Sequence, residues 1–179
     1  RHLGVIADSG FHYNLDLAPT LADLFGVAKP ADWDGESYAA TLNDGAVCGR
    51  DSLVISQQAH VCQRSARFGD WLYIRTIHDG FHLFDREMLY NLKNDPYEKR
   101  DLKAEHPEKC AEGAKIILDW QEEMMKKSEY ATDPMWTVMR EGGPFHAPQS
   151  ALRDYIPRLE ATGRADGAEK LRKKYKLKK

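Results

Sequence analysis

Three things are scarce in this 179-residue sequence: cysteine, long apolar runs, and an excess of charge of either sign. Cys48, Cys62 and Cys110 are its three cysteines, too few and too scattered for a disulfide framework. No apolar stretch approaches the ~18 residues that a helical membrane span requires. The formal charge is only -2, from 26 Lys and Arg against 28 Asp and Glu. That balance points away from nucleic acid as a partner. Neither an internal repeat nor a signal peptide is visible, and there is no initiator methionine. The chain opens mid-pattern at Arg1-His2-Leu3, so the native N-terminus and any targeting segment are expected upstream. What is present is a composition of 42% apolar and 30% charged residues. A chain of this length buries about 70% of its unfolded surface, enough for one domain with a sizeable core.

Periodicity divides the chain. Leu17, Leu21, Leu24 and Phe25 recur at helical spacing and predict a helix over Leu15 to Phe25, stopped by Gly26. Pro19 then belongs in its first turn, where a missing N–H costs little. A second short helix is expected over Glu36 to Leu42. The pattern then turns to strand. Ser52 to Gln57, Cys62 to Phe68, Trp71 to Ile77 and Met88 to Leu92 are short β-rich runs, and Gly69-Asp70 is a turn signal between two of them. Sequential strands with tight turns predict an antiparallel meander rather than βαβ units. His106-Pro107 opens a long helix to about Lys127, with Cys110, Ala114, Ile117, Gln121 and Met124 on one side, broadened by Leu118 and Met125. Thr132 to Pro148, with Pro134 and Gly142-Gly143-Pro144, reads as irregular. Ala151 to Thr162 reads as a helix that Pro157 starts or interrupts, and Ala168 to Lys179 as a basic helix or frayed tail.

Three segments, in order, carry a resemblance. Asp16-Leu17-Ala18-Pro19-Thr20, running on to Gly26, is followed by Asp34-Gly35-Glu36-Ser37. Gln63 to Ile74 contains Arg64, Arg67, Gly69 and Trp71. Leu89-Tyr90-Asn91-Leu92-Lys93-Asn94-Asp95-Pro96-Tyr97-Glu98 is followed by Asp101-Leu102. Together they resemble the sulfatase family's "D-x-x-P-T-x-x-x-x-x-G" helix with its later "D-G-x-S", its "R-x-x-R-x-G-x-W-K-Y-I" hairpin and its "L-Y-D-L-x-x-D-P-x-E" strand and turn. Leu72 stands in place of the usual lysine and Asn91 in place of an aspartate. Asp133-Pro134-Met135-Trp136 is similar to a stretch of sulfatases that act on sulfated sugars, sulfamidase among them. Turn and helix-end chemistry also accounts for many of these residues.

The resemblance implies an α+β C-terminal portion of a sulfatase. Residues 1–45 would be the last elements of an α/β, alkaline-phosphatase-like domain. Residues 46–128 would be a subdomain of about four antiparallel strands packed by the long helix, and residues 129–179 a tail with a basic end. It also implies, for the whole enzyme, sulfuric ester hydrolysis by a formylglycine with calcium, a sulfated small molecule or glycan as substrate, and a periplasmic or secreted location. The nucleophile motif C-x-P-x-R is not found here. After Cys62, Arg64 stands at the proline position and Ala66 at the arginine position. A cysteine-phosphatase loop would need arginine where Phe68 stands, and Cys48-Gly49-Arg50 fails as well. No residue is therefore assigned as catalytic or as a metal ligand, and His78-Asp79-Gly80-Phe81-His82 is read as a hairpin loop. His60, Arg64 and Arg67 are the candidate substrate-binding residues, since guanidinium pairs with oxyanions. In a regular strand positions 64 and 67 face opposite ways, and a structural role at the sheet edge is the competing reading. A related phosphoesterase or phosphonate hydrolase, and a binding domain without catalysis, are the alternatives. The apolar stripe of the Leu15 to Phe25 helix would be left uncovered in this chain, so self-association through it is expected.

Overall fold

The computed structural model describes residues 9–80, 82–141 and 148–177. Arg1-His2-Leu3, Phe81, Gly142-Gly143-Pro144, Lys178 and Lys179 lie outside the described residues. The chain forms two compact units, residues 1–53 and 54–179.

The first unit is a short helical knot. A 3-10 turn at Asn14–Asp16 runs into α1 (Leu17–Leu24), with α2 (Ala39–Asp44) following. Phe11 and Arg50 form an isolated antiparallel bridge. The helix expected over Leu15 to Phe25 is therefore α only from Leu17, because the carboxylate of Asp16 turns back to accept from the N–H of Tyr13 at 2.7 Å and tightens the entry. The helix expected at Glu36 starts later, at Ala39, since the N–H of Glu36 is taken by the Asp16 carboxylate at 2.8 Å. Pro19 and Thr20 are buried, whereas Leu17, Leu21, Leu24 and Phe25 stay exposed.

The second unit holds a four-stranded sheet in the order β1-β2-β3-β4. The strands are β1 (Ser52–Gln57), β2 (Cys62–Phe68), β3 (Trp71–His78) and β4 (Glu87–Asn91). Strand β2 pairs antiparallel with β3 from Cys62↔His78 to Phe68↔Trp71, with a bulge between Cys62 and Gln63. The pair closes on Gly69-Asp70, where Gly69 has φ of +48°, a region that favours glycine. Strand β3 pairs antiparallel with β4 from Trp71↔Asn91 to Arg75↔Glu87. In β2 buried and half-buried residues alternate strictly, as expected of a strand with one face on a core. The helix α3 (Pro107–Lys127) covers that face. Val54, Ala66, Phe68, Tyr73, Leu89 and Ile117 are the buried core, with Trp71, Leu102, Cys110, Ala114, Ile116 and Trp120 packed around them.

The structure corrects two details expected from the sequence. Leu118, expected on the apolar side of α3, is exposed, and Ile116 and Trp120 take the place beside Ile117. Thr132 to Pro148 is not irregular throughout. It contains α4 (Pro134–Arg140), whose N-cap Asp133 accepts from the N–H of Met135 at 3.0 Å. Proline at the first helical position starts a helix rather than breaking it. The basic end takes the helical form of the two expected for it, up to Tyr175: α5 (Pro148–Ala161) and α6 (Ala165–Tyr175) pack together, burying Leu152, Ile156, Leu159, Ala168 and Leu171. Pro157 lies inside α5.

Gly113 shows how closely α3 lies on the sheet. A Cβ at this position would fall 2.5 Å from Tyr73 Cβ, and Tyr73 is fully buried with its hydroxyl on Glu87. On an open helix face, Gly→Ala gains about 1 kcal/mol. Here Gly113→Ala is expected to lower stability by about 1–3 kcal/mol, the usual cost of overpacking. A urea titration reads it as a lower midpoint at unchanged slope; a raised midpoint would mean that helix and sheet are not in contact there.

Candidate functional site

The three candidate residues of β2 and its flank go to three different places. Arg64 lies on the core face and is 5% exposed. Its guanidinium makes a two-pronged pair with Asp133, Nη1 to Oδ2 at 2.6 Å and Nη2 to Oδ1 at 2.8 Å. Its Nε donates to Ser56 Oγ at 3.3 Å, and the group lies 5.2 Å from the ring centre of Trp120. Gln121 donates to Asp133 Oδ2 at 3.0 Å. Burial pushes the Asp133 carboxyl up, but the Arg64 guanidinium and the Met135 N–H outweigh it and hold it below the ordinary value. Arg67 points to the other face and ties the hairpin turn, donating to the carbonyls of Gly69 and Trp71. His60 is exposed at the opposite end of β2, in the β1–β2 connection. The fold does not bring the three together.

That opposite end of the sheet is where polar groups gather. A cleft of about 460 Å³ is lined by Arg75, Thr76, Ile77, His78, Asp79, Phe84 and Arg86. His78 Nδ1 accepts from the N–H of Gly80 at 2.9 Å. Burial lowers the pKa of His78 and of His82, and His60 is near enough to lower His82 further, so the imidazoles crowd one region. Lys174 bonds to the Asp79 carboxylate and to the carbonyl of Gly80 at 3.2 Å. Tyr175 donates its hydroxyl to the same carbonyl. Arg75 is engaged by Glu87, whereas Arg86 is exposed. Cations and imidazoles on a cleft can hold an anion. No group of three or more metal-binding side chains occurs among the described residues. The sequence reading singled out His60 and the His78–His82 loop separately. Their approach follows from the hairpin order, which sets both loops at one end of the sheet.

The motif residues of the first unit form a second hydrogen-bonded centre. Asp16 is fully buried and receives Arg50 through two bonds, at 2.6 and 3.0 Å. It also accepts from the N–H groups of Tyr13 and Glu36. Burial raises its pKa, but these donors together bring it below the ordinary value. Thr20 donates to the Asp16 carbonyl at 2.7 Å and accepts from the N–H of Tyr38 at 3.0 Å. A Cβ on Gly35 would lie 2.3 Å from the Leu15 carbonyl oxygen. The two halves of the first motif are thus bonded to each other. In the third motif Asp95 accepts from the N–H groups of Lys99 and Arg100, and Asp101 from those of Leu89 and Lys103.

Both depressed carboxyls fix a pH dependence. Each contributes its stability above the ordinary carboxylate pKa and loses it as pH falls through the lower folded value. The thermal midpoint is therefore expected to decline gently from pH 7 to about 5, where the unfolded chain protonates His78 and His82 before the folded one does, and to fall further below about 4 as the two carboxylates are lost. Asp133→Asn leaves Arg64 buried without a counter-charge. It should cost about 3–5 kcal/mol at pH 7 and remove part of the acid limb. A variant that melts like the parent at pH 7 would show that this pair does not hold the unit.

No family profile matches the chain, and no curated protein does. Solved structures do. A 2-O GAG sulfatase is 27% identical, with a TM-score of 0.50, over 66% of this chain and 27% of its own. A 6S-sulf structure tied to glycosaminoglycan metabolism in Bacteroides thetaiotaomicron is 24% identical, TM-score 0.46, over 58% of this chain and 24% of its own. A structure in complex with its substrate D-glucosamine-2-N,6-O-disulfate is 24% identical, TM-score 0.47, over 62% and 23%. The chain thus spans about a quarter of the length of the solved structures it matches. In its motifs and its fold it is a sulfatase-like portion: an antiparallel four-stranded sheet under a long helix, similar over about two thirds of its length to a 2-O GAG sulfatase.

Proposed function

We propose that this chain is the C-terminal portion of a sulfuric ester hydrolase acting on sulfated sugars, contributing fold stability and a pocket wall rather than the nucleophile. The observation that carries the reading is the match to the 2-O GAG sulfatase at 27% identity, with the resembling motifs knotted around Asp16, Arg64 and Asp101. The cleft at the end of the sheet would supply the wall, with Arg86 and His78 in its lining offering an anionic sugar charge and a hydrogen bond. No helix among the described residues is long and apolar enough to cross a membrane.

The formylglycine and calcium that the resemblance implies do not fit the described residues of this chain. Cys62 is fully buried on the core face of β2, and burial pushes its thiol up. Burial likewise pushes up the thiol of Cys110, which lies against the Lys103 carbonyl. No triad of ligating side chains converges among the described residues. The nucleophile and the metal would then belong to the rest of the enzyme. The purified chain should release no sulfate from an aryl sulfate above a buffer blank, with or without added calcium. Turnover that persists through repurification would overturn the assignment.

Exposure of α1 belongs to the same reading. Leu17, Leu21 and Leu24 are 52, 43 and 42% exposed and Phe25 is 78% exposed. Fully burying such side chains is worth about 1.5–3 kcal/mol each, and a contiguous apolar patch marks an interface. The chain on its own is expected to self-associate through this face. Light scattering across a concentration series should show a mass that rises with concentration, and Leu21→Glu with Phe25→Glu should abolish the rise. A constant monomer mass would exclude it.

A further inference from the structure

The charge of this chain is not evenly spread. Residues 148–179 carry ten Lys and Arg against four Asp and Glu, which leaves sixteen against twenty-four in the first 147 of the chain's 26 and 28. A chain with a formal charge of -2 therefore sets a basic hairpin on an acidic body. The hairpin is ordered rather than frayed. Leu152, Ile156 and Leu159 of α5 pack on Ala168 and Leu171 of α6, so the outward faces are fixed. Gly167, Ala168 and Leu171 make the buried stripe of α6, and Lys170, Lys173 and Lys176 are exposed.

Some of the cations are already matched. Arg172 bonds Glu160 at 2.5 Å, Lys174 bonds Asp79, and Lys170 reaches Asp166 only at 4.0 Å. No ion pair of Lys173, Lys176 or Arg158 occurs among the described residues. Complementing the helix dipole would account for cations in the last turn. It accounts equally for Arg158, in the last turn of α5, but not for Lys170, a turn earlier in α6. The Lys174–Asp79 and Tyr175–Gly80 contacts also bind the end of α6 to the loop that lines the cleft. The end of α6 that carries these lysines is thus held against the loop of the cleft.

We propose that α6, through Lys170, Lys173 and Lys176, is an accessory binding surface for a polysulfated polysaccharide, holding the polymer beside the cleft. This rests on the reading of the substrate as a sulfated sugar and adds a polymer to it. Several lysines along two turns suit a thin, densely charged chain, since lysine is a mobile point charge that needs no fixed oxyanion geometry. A single-stranded nucleic acid would call for exposed aromatic platforms. Tyr175, the aromatic of α6, is instead half-buried against the Gly80 carbonyl.

The test uses the full chain and a fluorescein-labelled heparin oligosaccharide, with anisotropy read over a salt series. Heparin should bind with an affinity that falls as salt rises. The variant Lys170→Ala/Lys173→Ala/Lys176→Asn should bind about tenfold more weakly, with a shallower salt slope. Asparagine is chosen at 176 because that residue has φ of +51°, a region that asparagine tolerates. A control, Lys93→Ala/Lys115→Ala/Lys126→Ala, removes the same charge elsewhere and should stay within about twofold of the parent, because screening keeps distant charges out of the contact. The proposal is overturned if the control weakens binding as much as the α6 variant. It is also overturned if hyaluronan, which carries only carboxylates, competes as well as heparin, or if oligo-dT competes better. No heparin binding by the parent chain would remove the accessory surface and leave the reading of the chain as a sulfatase portion standing, since that rests on its fold and motifs.

Discussion

The second unit depends on one buried contact, the pair between Arg64 on β2 and Asp133 at the start of α4. A guanidinium and a carboxylate taken out of water lose hydration worth several kcal/mol each, and their attraction repays this only in good geometry with the remaining donors satisfied. Both conditions hold. The pair is two-pronged, Ser56 takes Nε, Gln121 and the Met135 N–H complete the carboxylate, and Trp120 lies against the guanidinium. Two strands, the long helix and α4 meet at this point. Replacement of such a pair by well-packed apolar residues need not cost stability. What the pair adds is position: any slip of β2 by one residue would turn Arg64 outward and leave Asp133 uncompensated in the core.

Asp16 does the same work in the first unit with a different partner set. Arg50 and two backbone N–H groups satisfy it, and Thr20 relays the bond to Tyr38. The sulfatase resemblance therefore has a physical content. Its recurring aspartates, threonine and arginines are groups that bind distant backbone into one arrangement, and Gly35 is the residue that lets two segments touch. Asp101 repeats the device, holding the N–H of Leu89 in the sheet to the turn before α3.

The sheet was legible because alternation and a two-residue turn are local signals: β1 and β2 begin and end where the pattern does. The long helix was legible from Pro107 and its apolar period, although period alone could not rank Leu118 below Ile116. Helix α4 was hidden because Pro134 reads equally as a breaker and a starter. The role of Arg64 was hidden for a different reason. Its partner lies 69 residues away, and nothing local in β2 announces a buried acid. Asp133 had been noticed only as part of a motif. The cleft was the least legible feature, since it is made by two loops whose meeting is a property of the topology.

The two ends of the sheet differ in a way that bears on where function sits. At one end the Gly69-Asp70 turn is as short as a hairpin allows and fully committed: Arg67 takes two of its carbonyls, and the N–H of Leu92 bonds the Asp70 carbonyl. At the other end the connections run from Gln57 to Cys62 and from His78 to Glu87, long enough to carry imidazoles, Asp79 and Arg86 beyond the last paired residues. Residues on loops held by a rigid scaffold can change without disturbing the core. The buried pair at Arg64 fixes the strands; the loops that those strands end in are free to differ. An arginine buried on the core face of a strand is thus a poor candidate for reading a substrate, and a charged residue past the strand end is a better one. Arg64 illustrates the first case, and Arg86 the second.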